Sequence, residues 1–343
     1  MPRVAIIGTG LIGASIGLRL RAASDLPDLE VVGADRESGR AKRAQKIGAL
    51  DTAARDAPAA VRDASLVILS TPVLALRRVM AEIAPALQEG AIVTDTGSTK
   101  GDVMAWAEQE LPRTVYFVGG HPMAGRTESG PDFADAALFE GARWAIVPSA
   151  TASEGALKTV RSLVETVGAK EMFMDAAEHD AYVAAISHLP LMAASAMFNI
   201  VRGSEAWPEL SLLAASGFKG ATRLAGTEPN VAFDIAVTNR TQIVHWLERY
   251  REALRELQER IADEEQEEEL FRLLAEASWE YTNFIEGAVG RTEVDEKGSD
   301  FRGMDFSTML MGEAMASKMR DLTQRSEERL QELERQQRLT RNE

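Results

Sequence analysis

From residue 3 to about residue 173 the chain switches repeatedly between two hydrophobic patterns. Short apolar, β-branched runs such as "RVAII", "EVVGA", "SLVILS", "AIVTD", "TVYFV" and "ARWAIV" end in polar breaks. Most lead into stretches where apolar residues recur every three or four positions, as in "LIGASIGLRLR", "LALRRVMAEIAPAL", "DVMAWAEQEL" and "EGALKTVRSLVETVG". An unbroken apolar run fits a strand buried on both faces, and the longer period fits a helix with one apolar stripe. Their alternation predicts an α/β fold, a doubly wound parallel sheet with helices on both faces. From about Asp175 the strand pattern stops. "EHDAYVAAISHLPLMAASAMFNIVRG", the run from "PNVAFDI" to "EYTNFI", and "STMLMGEAMASKMRDLTQRSEERLQELERQQ" read as long amphipathic helices, with breaks near Pro190, near Gly217 and through 287–305. The predicted organisation is an α/β domain over 1–174, an all-α domain over 175–320 and a charged helical or frayed tail over 321–343. "DEEQEEE" at 263–269 reads as a solvated helix face.

The first strand-to-helix junction, "GTGLIG", carries Gly8, Gly10 and Gly13 in the GxGxxG spacing. Gly8 permits the tight turn, Gly10 lets the backbone approach a pyrophosphate, and Gly13 lets helix and strand pack closely. Leu11 and Ile12 open a helix whose unpaired N–H groups favour an anion. The second strand ends at Asp35, placed to hydrogen-bond the hydroxyls of an adenosine ribose. Together these predict a Rossmann-like dinucleotide-binding domain. The plainer reading is a glycine-rich turn with Asp35 as a solvated loop residue. NAD is the expected cofactor, and Arg36, a cation beside the ribose, keeps NADP open. Ligands of such sheets bind beyond the carboxyl ends of the strands. Three polar loops converge there: "STP" with Ser70 and Thr71, "DTGSTK" at 95–100, and "GGHPMAGRTESG" at 119–130. His121 therefore stands where a nicotinamide sits.

Composition narrows the partners. A formal charge of −15 over 343 residues opposes binding to nucleic acid or anionic membranes. With no cysteine there is neither a disulfide framework nor a thiolate metal site, and no metal is expected. "MPRVAIIG" enters a strand pattern without a leader, and no apolar run approaches the roughly 18 to 20 residues of a membrane span, so a cytoplasmic protein is expected. Small-molecule substrates fit best. Apolar helix faces beside a nucleotide domain predict a homodimer.

"GTGLIGASIG", "DTGSTKGDV", "GGHPMAGRTESG", "SHLP" and "GFKGATRLAG" with "EPNVAFDI" and a following Asn resemble, in order over about 1–245, the prephenate and arogenate dehydrogenases; 250–343 shows no comparable likeness. The resemblance implies a nucleotide domain joined to a helical dimerisation and substrate domain, and NAD(P)-dependent oxidative decarboxylation of a cyclohexadienol. It implies His121 as the base that takes the hydroxyl proton, a role suited to a neutral imidazole. Ser98 becomes the hydroxyl that orients this base or shares the substrate's hydrogen bond. Arg223 and His188 become substrate-binding residues, for a dicarboxylate or amino-acid substrate; the planar Arg fork suits a carboxylate.

Plainer roles stand beside these: a turn cap for His121, a helix N-cap near Lys100 for Ser98, a satisfied helix-end ring for His188, an ion pair for Arg223. His179 and His245 read as packing or surface residues. The chain also departs from the family pattern, with Thr127 in place of a Glu, Lys219 and Gly220 in place of Arg and Asp, Leu191 in place of a second His, and Val231 and Ala232 in place of Met and Trp. These changes fall on the substrate side. Two other readings stay open, a β-hydroxyacid dehydrogenase-like enzyme relying on Lys219 and a nucleotide-sensing relative without turnover.

Overall fold

The alternating segments fold as the two periods dictate. The computed structural model describes residues 3–23, 29–126, 128–150 and 152–287. It divides into two units, Met1–Glu264 and Glu265–Glu343. In the first, β1 (Arg3–Ile7), α1 (Leu11–Ala22), β2 (Glu30–Ala34), α2 (Ser38–Lys46), β3 (Thr52–Ala53), α3 (Ala57–Val61), β4 (Leu66–Leu69), α4 (Val73–Ile83), β5 (Ile92–Asp95) and α5 (Gly101–Glu110) alternate strictly. Next come β6 (Tyr116–Pro122), β7 (Arg143–Pro148), α6 (Glu154–Thr166) and β8 (Lys170–Phe173). The strands form one sheet in the order β3-β2-β1-β4-β5-β6-β7-β8. Successive side chains face opposite ways. Ala5 and Ile7 meet Leu76, Met80 and Val103 of α4 and α5, whereas Val4 and Ile6 meet Ile16, Leu20, Val160 and Leu163 of α1 and α6. β1 pairs with β2 on one side and β4 on the other, so the strand order reverses at β1 and the loops after β1 and β4 part to leave a crevice.

One pair departs from the all-parallel expectation: β6 and β7 are antiparallel, with His121 opposite Ala145. Among the described residues the connection between them holds a 3-10 turn, Pro131–Phe133, and not the α-helix that usually carries a parallel crossover. The antiparallel partner also lengthens β6, so His121 belongs to the strand rather than to the loop after it.

The remaining helices of this unit are α7 (Ala176–Val183), α8 (Leu189–Arg202), α9 (Trp207–Leu213), α10 (Ser216–Ala221), α11 (Pro229–Thr238) and α12 (Arg240–Ala262). Pro190 does not break its helix. It occupies the first turn of α8, where proline is tolerated, and a π turn at Ala184–His188 links α7 to α8. The resulting helix, Ala176–Arg202, contains an 18-residue stretch of mean hydropathy 1.5 and is long and apolar enough to cross a membrane, contrary to expectation. His179, Asp180 and His188 on this helix are hydrogen-bonded within the unit. Conversely, the single helix expected from "PNVAF" to "EYTNFI" is three. Asn239 leaves helical geometry at φ −124°, and Asp263 is extended at φ −113°. "DEEQEEE" therefore spans a break rather than one helix face. Two side chains fix the helices to the crevice loops: Asp234 accepts the Leu74 N–H at the start of α4 (2.9 Å), and Thr238 Oγ1 meets Thr99 Oγ1 (2.8 Å).

In the second unit the described element is α13 (Glu267–Ile285), whose first turn carries Glu267, Glu268 and Glu269. Acidic residues there complement the helix dipole. The break expected through 287–305 and the tail at 321–343 lie outside the described residues, save Gly287.

Candidate active site

The glycine loop has the shape that a dinucleotide requires. Gly8 adopts φ +95°, and a Cβ on it would stand 2.3 Å from the Ser70 carbonyl oxygen. A Cβ on Gly13 would stand 2.1 Å from the Gly8 carbonyl oxygen, so helix and strand touch there. Above Gly10 nothing lies within 4 Å. α1, opening with Leu11 and Ile12, has no side-chain cap and no acidic residue in its first turn. An open backbone at a positive helix end suits a pyrophosphate. Among the described residues Thr71 Oγ1 is buried here without a hydrogen-bond partner, and Ser70 Oγ accepts from Thr96 Oγ1 at 3.1 Å. Asp35 is not simply solvated: its carboxylate accepts the Thr9 N–H (2.9 Å) and the Glu37 N–H (2.9 Å). Arg36 is exposed beside it.

His121 is seated by close packing. A Cβ on Gly120 would stand 2.6 Å from the Asp95 carbonyl oxygen, so β6 approaches β5 only because glycine precedes the histidine. His121 Nδ1 lies 2.9 Å from His179 Nε2, and His179 Nδ1 lies 2.8 Å from Asp180 Oδ1. For uncharged rings the proton positions follow. A carboxylate only accepts, so His179 carries its hydrogen on Nδ1; its Nε2 then accepts from His121 Nδ1–H. His121 Nε2 is left with its lone pair. Reading His179 as a packing residue is thus corrected, since it is the buried partner of the candidate base. The adjacent "HD" in "EHDAYV" is a weak sequence signal, because only tertiary packing brings it to His121.

Asp180 also caps α5 from another helix. Oδ1 accepts the Lys100 N–H and Oδ2 the Gly101 N–H, each at 2.8 Å. Burial alone would raise its pKa, but the hydrogen bonds from His179, Gly101 and Lys100 outweigh that and hold it below the usual value. The N-cap alternative for Ser98 is therefore excluded. Half-buried Ser98 lies between Gly97 and Thr99, whose carbonyls accept from Lys100 Nζ at 2.9 and 3.0 Å. Lys100 is fully buried and paired with Asp95 at 2.5 Å, a buried ion pair that the sequence did not reveal. Burial, His179, Lys100 and His188 together push the His121 pKa well below its ordinary value.

His188 ends the π turn, fully buried, with Nδ1 3.2 Å from Asn239 Nδ2. Its pKa falls to about 4, chiefly through burial. Arg223 stands apart from this hydrogen-bonded cluster. It is exposed on a 3-10 turn, Arg223–Gly226, packed against α8, and no ion pair holds it among the described residues. His245 contacts only the neighbouring Trp246 ring among the described aromatic pairs. Lys219 is exposed on α10, and Thr127 lies outside the described residues. Three departures from the family pattern, Leu191, Val231 and Ala232, meet in one apolar cluster with Ile235, Ile243 and Leu224.

Residues 16–173 match the family model of the prephenate dehydrogenase nucleotide-binding domain, and 175–276 match that of the prephenate dehydrogenase dimerization domain. Prephenate dehydrogenase of Bacillus subtilis (strain 168) is 33% identical over 273 residues, covering 78% of this chain and 72% of the relative. The chain belongs to the prephenate dehydrogenase family. The match continues to residue 276, beyond the limit near 245 expected from sequence. Cyclohexadienyl dehydrogenase of Zymomonas mobilis is likewise 33% identical, over 76% of this chain and 89% of the relative. Among solved structures, prephenate dehydrogenase from Aquifex aeolicus in complex with hydroxyphenyl propionate and NAD+ superposes with a TM-score of 0.76 at 30% identity, covering 83% of this chain and 98% of that one. Synechocystis arogenate dehydrogenase gives 0.69 at 30% identity, covering 82% and 99%. This chain is accordingly an oxidoreductase of the prephenate dehydrogenase family.

Proposed function

We propose that the chain oxidises a cyclohexadienol, prephenate or arogenate, with NAD+ as acceptor and with loss of carbon dioxide. When bound, the nicotinamide supplies the hydride acceptor. The observation that carries the reading is the His121–His179–Asp180 chain, which leaves the base nitrogen, Nε2, unprotonated. His121 takes the proton of the carbinol hydroxyl as its C–H hydrogen departs as hydride. The resulting dienone loses its ring carboxylate as carbon dioxide, and the bonding pair released makes the ring aromatic. That pair appears as a phenolate on the same oxygen, so His121 can return the proton it took. The low pKa of the base helps this return. Ser98 orients the hydroxyl. His188 and the exposed guanidinium of Arg223 hold substrate oxygens, the latter as a bidentate carboxylate partner. The carboxylate of Asp35 disfavours a 2′-phosphate, which supports NAD over NADP.

The working form in this reading is a homodimer. Ile186, Ile200, Leu212, Leu213 and Phe233 are between 61% and 87% exposed, apolar side chains that a second copy would cover. Mixing the protein with NAD+ and either cyclohexadienol, and following the absorbance of the reduced cofactor, tests the reading; no reduction with either substrate defeats it.

A further inference from the structure

The two buried histidines nearest the candidate base are wired with opposite polarity, and the same residue, Asp180, anchors both. Through its carboxylate it fixes the proton of His179 and thereby that of His121. Through its main-chain carbonyl it accepts from Asn239 Nδ2 at 2.7 Å. That contact settles the orientation of the Asn239 amide, because a carbonyl oxygen only accepts and the group facing it must be the nitrogen. The second hydrogen of the same nitrogen points to His188 Nδ1 at 3.2 Å. His188 Nδ1 must therefore accept, and the ring carries its hydrogen on Nε2. This Nε2 is buried with no hydrogen-bond partner among the described residues. A hydrogen bond with the Ser98 main chain favours a proton on the ring, but its geometry leaves Nε2 short of a full partner. A ligand acceptor would complete the hydrogen bonding of this buried donor.

We propose that Asn239 is a positioning residue that fixes His188 as a neutral Nε2–H donor, so that the site offers the ligand one nitrogen that only accepts, on His121, and one that only donates, on His188. The ligand atom at His188 is an oxygen acceptor. The inference rests on the proposed reaction for the identity of that ligand, but the proton position itself does not. Asn239 separates α11 from α12 at φ −124° and ψ 33°, and its side chain reaches both Asp180 and His188.

The test uses the full chain labelled with 15N at its four histidine rings. Proton–nitrogen correlation spectra at pH 7 distinguish a protonated ring nitrogen from a bare one. His188 is expected to show a protonated Nε2 and a bare Nδ1. With NAD+ and saturating hydroxyphenyl propionate, the His188 Nε2 signal is expected to move while Nδ1 stays bare. Asn239→Asp, which replaces both amide hydrogens by acceptors, is expected to transfer the proton to Nδ1 and raise the cyclohexadienol KM about tenfold, with the NAD+ KM within about twofold of wild type. A wild-type His188 protonated on Nδ1, or charged at pH 7, overturns the proposal without recourse to any variant. So does an Nε2 signal unmoved by ligand whose binding is shown by titration. Absence of turnover with both cyclohexadienols would defeat the proposed reaction instead and leave the proton assignment standing.

Discussion

Asp180 holds His179 through Oδ1, the same oxygen that receives the main-chain N–H of Lys100. The capping of a helix in the nucleotide fold and the orientation of the candidate base are thus one hydrogen-bond network. Disturbing His179 should change the chemistry more than the fold.

His179→Leu removes the acceptor for His121 Nδ1–H and frees the ring to take the wrong tautomer. Turnover should fall by roughly tenfold to a thousandfold, with little change in the NAD+ KM. His179→Gln, whose carbonyl oxygen can still accept, should retain more activity than His179→Leu. Equal losses in the two variants would show that volume, not the hydrogen bond, is what matters.

The glycine loop separates packing from binding. Gly13→Ala places a Cβ 2.1 Å from a backbone oxygen and should destabilise the fold by about 1 to 3 kcal/mol in urea unfolding. Gly10→Ala meets open space, with an ordinary φ of −73°, so its midpoint should stay close to wild type while NAD+ affinity drops. An unaffected affinity would place the pyrophosphate elsewhere.

Cofactor preference should turn on Asp35. Asp35→Ala is expected to raise the KM for NAD+ more than that for NADP+, since it removes both the ribose acceptor and the charge that opposes a 2′-phosphate. Arg36→Ala should affect NADP+ more. The opposite ranking would reverse the preference.

Acid should destabilise this protein through His188. The ring is buried uncharged, with a folded pKa near 4 against 6.5 when free, so the unfolded chain binds more protons between these values. Stability is therefore complete above about pH 6.5 and declines as pH falls towards 4, by roughly 3 kcal/mol from this group. His121, with its pKa lowered in the same direction, adds to the slope. Thermal unfolding across this range checks it, and a flat or rising profile towards pH 4 would contradict the buried neutral state.

Much of this architecture was legible because local physics dictates it. The strand–helix alternation, the roles of Gly8, Gly10 and Gly13, and the convergence of the "STP", "DTGSTK" and "GGHP" loops all follow from periodicity and turn chemistry. What escaped depends on distant contacts. His179 reaches His121 across 58 residues, and Asn239 reaches Asp180 across 59, so neither spacing is a motif. Lys100 looked like the start of a helix, and its burial against Asp95 depends on how β5 turns into α5. Pro190 looked like a break because a π turn ahead of it is invisible in the hydrophobic period, and the antiparallel β7 was missed because its strand pattern alone carries no direction.

The central claim is that His121 takes the hydroxyl proton. The kcat of His121→Asn, measured with NAD+ and a cyclohexadienol that wild type turns over, tests it most directly. The account predicts a fall of about a hundredfold to ten-thousandfold, with NAD+ binding near normal. Turnover equal to wild type would contradict it.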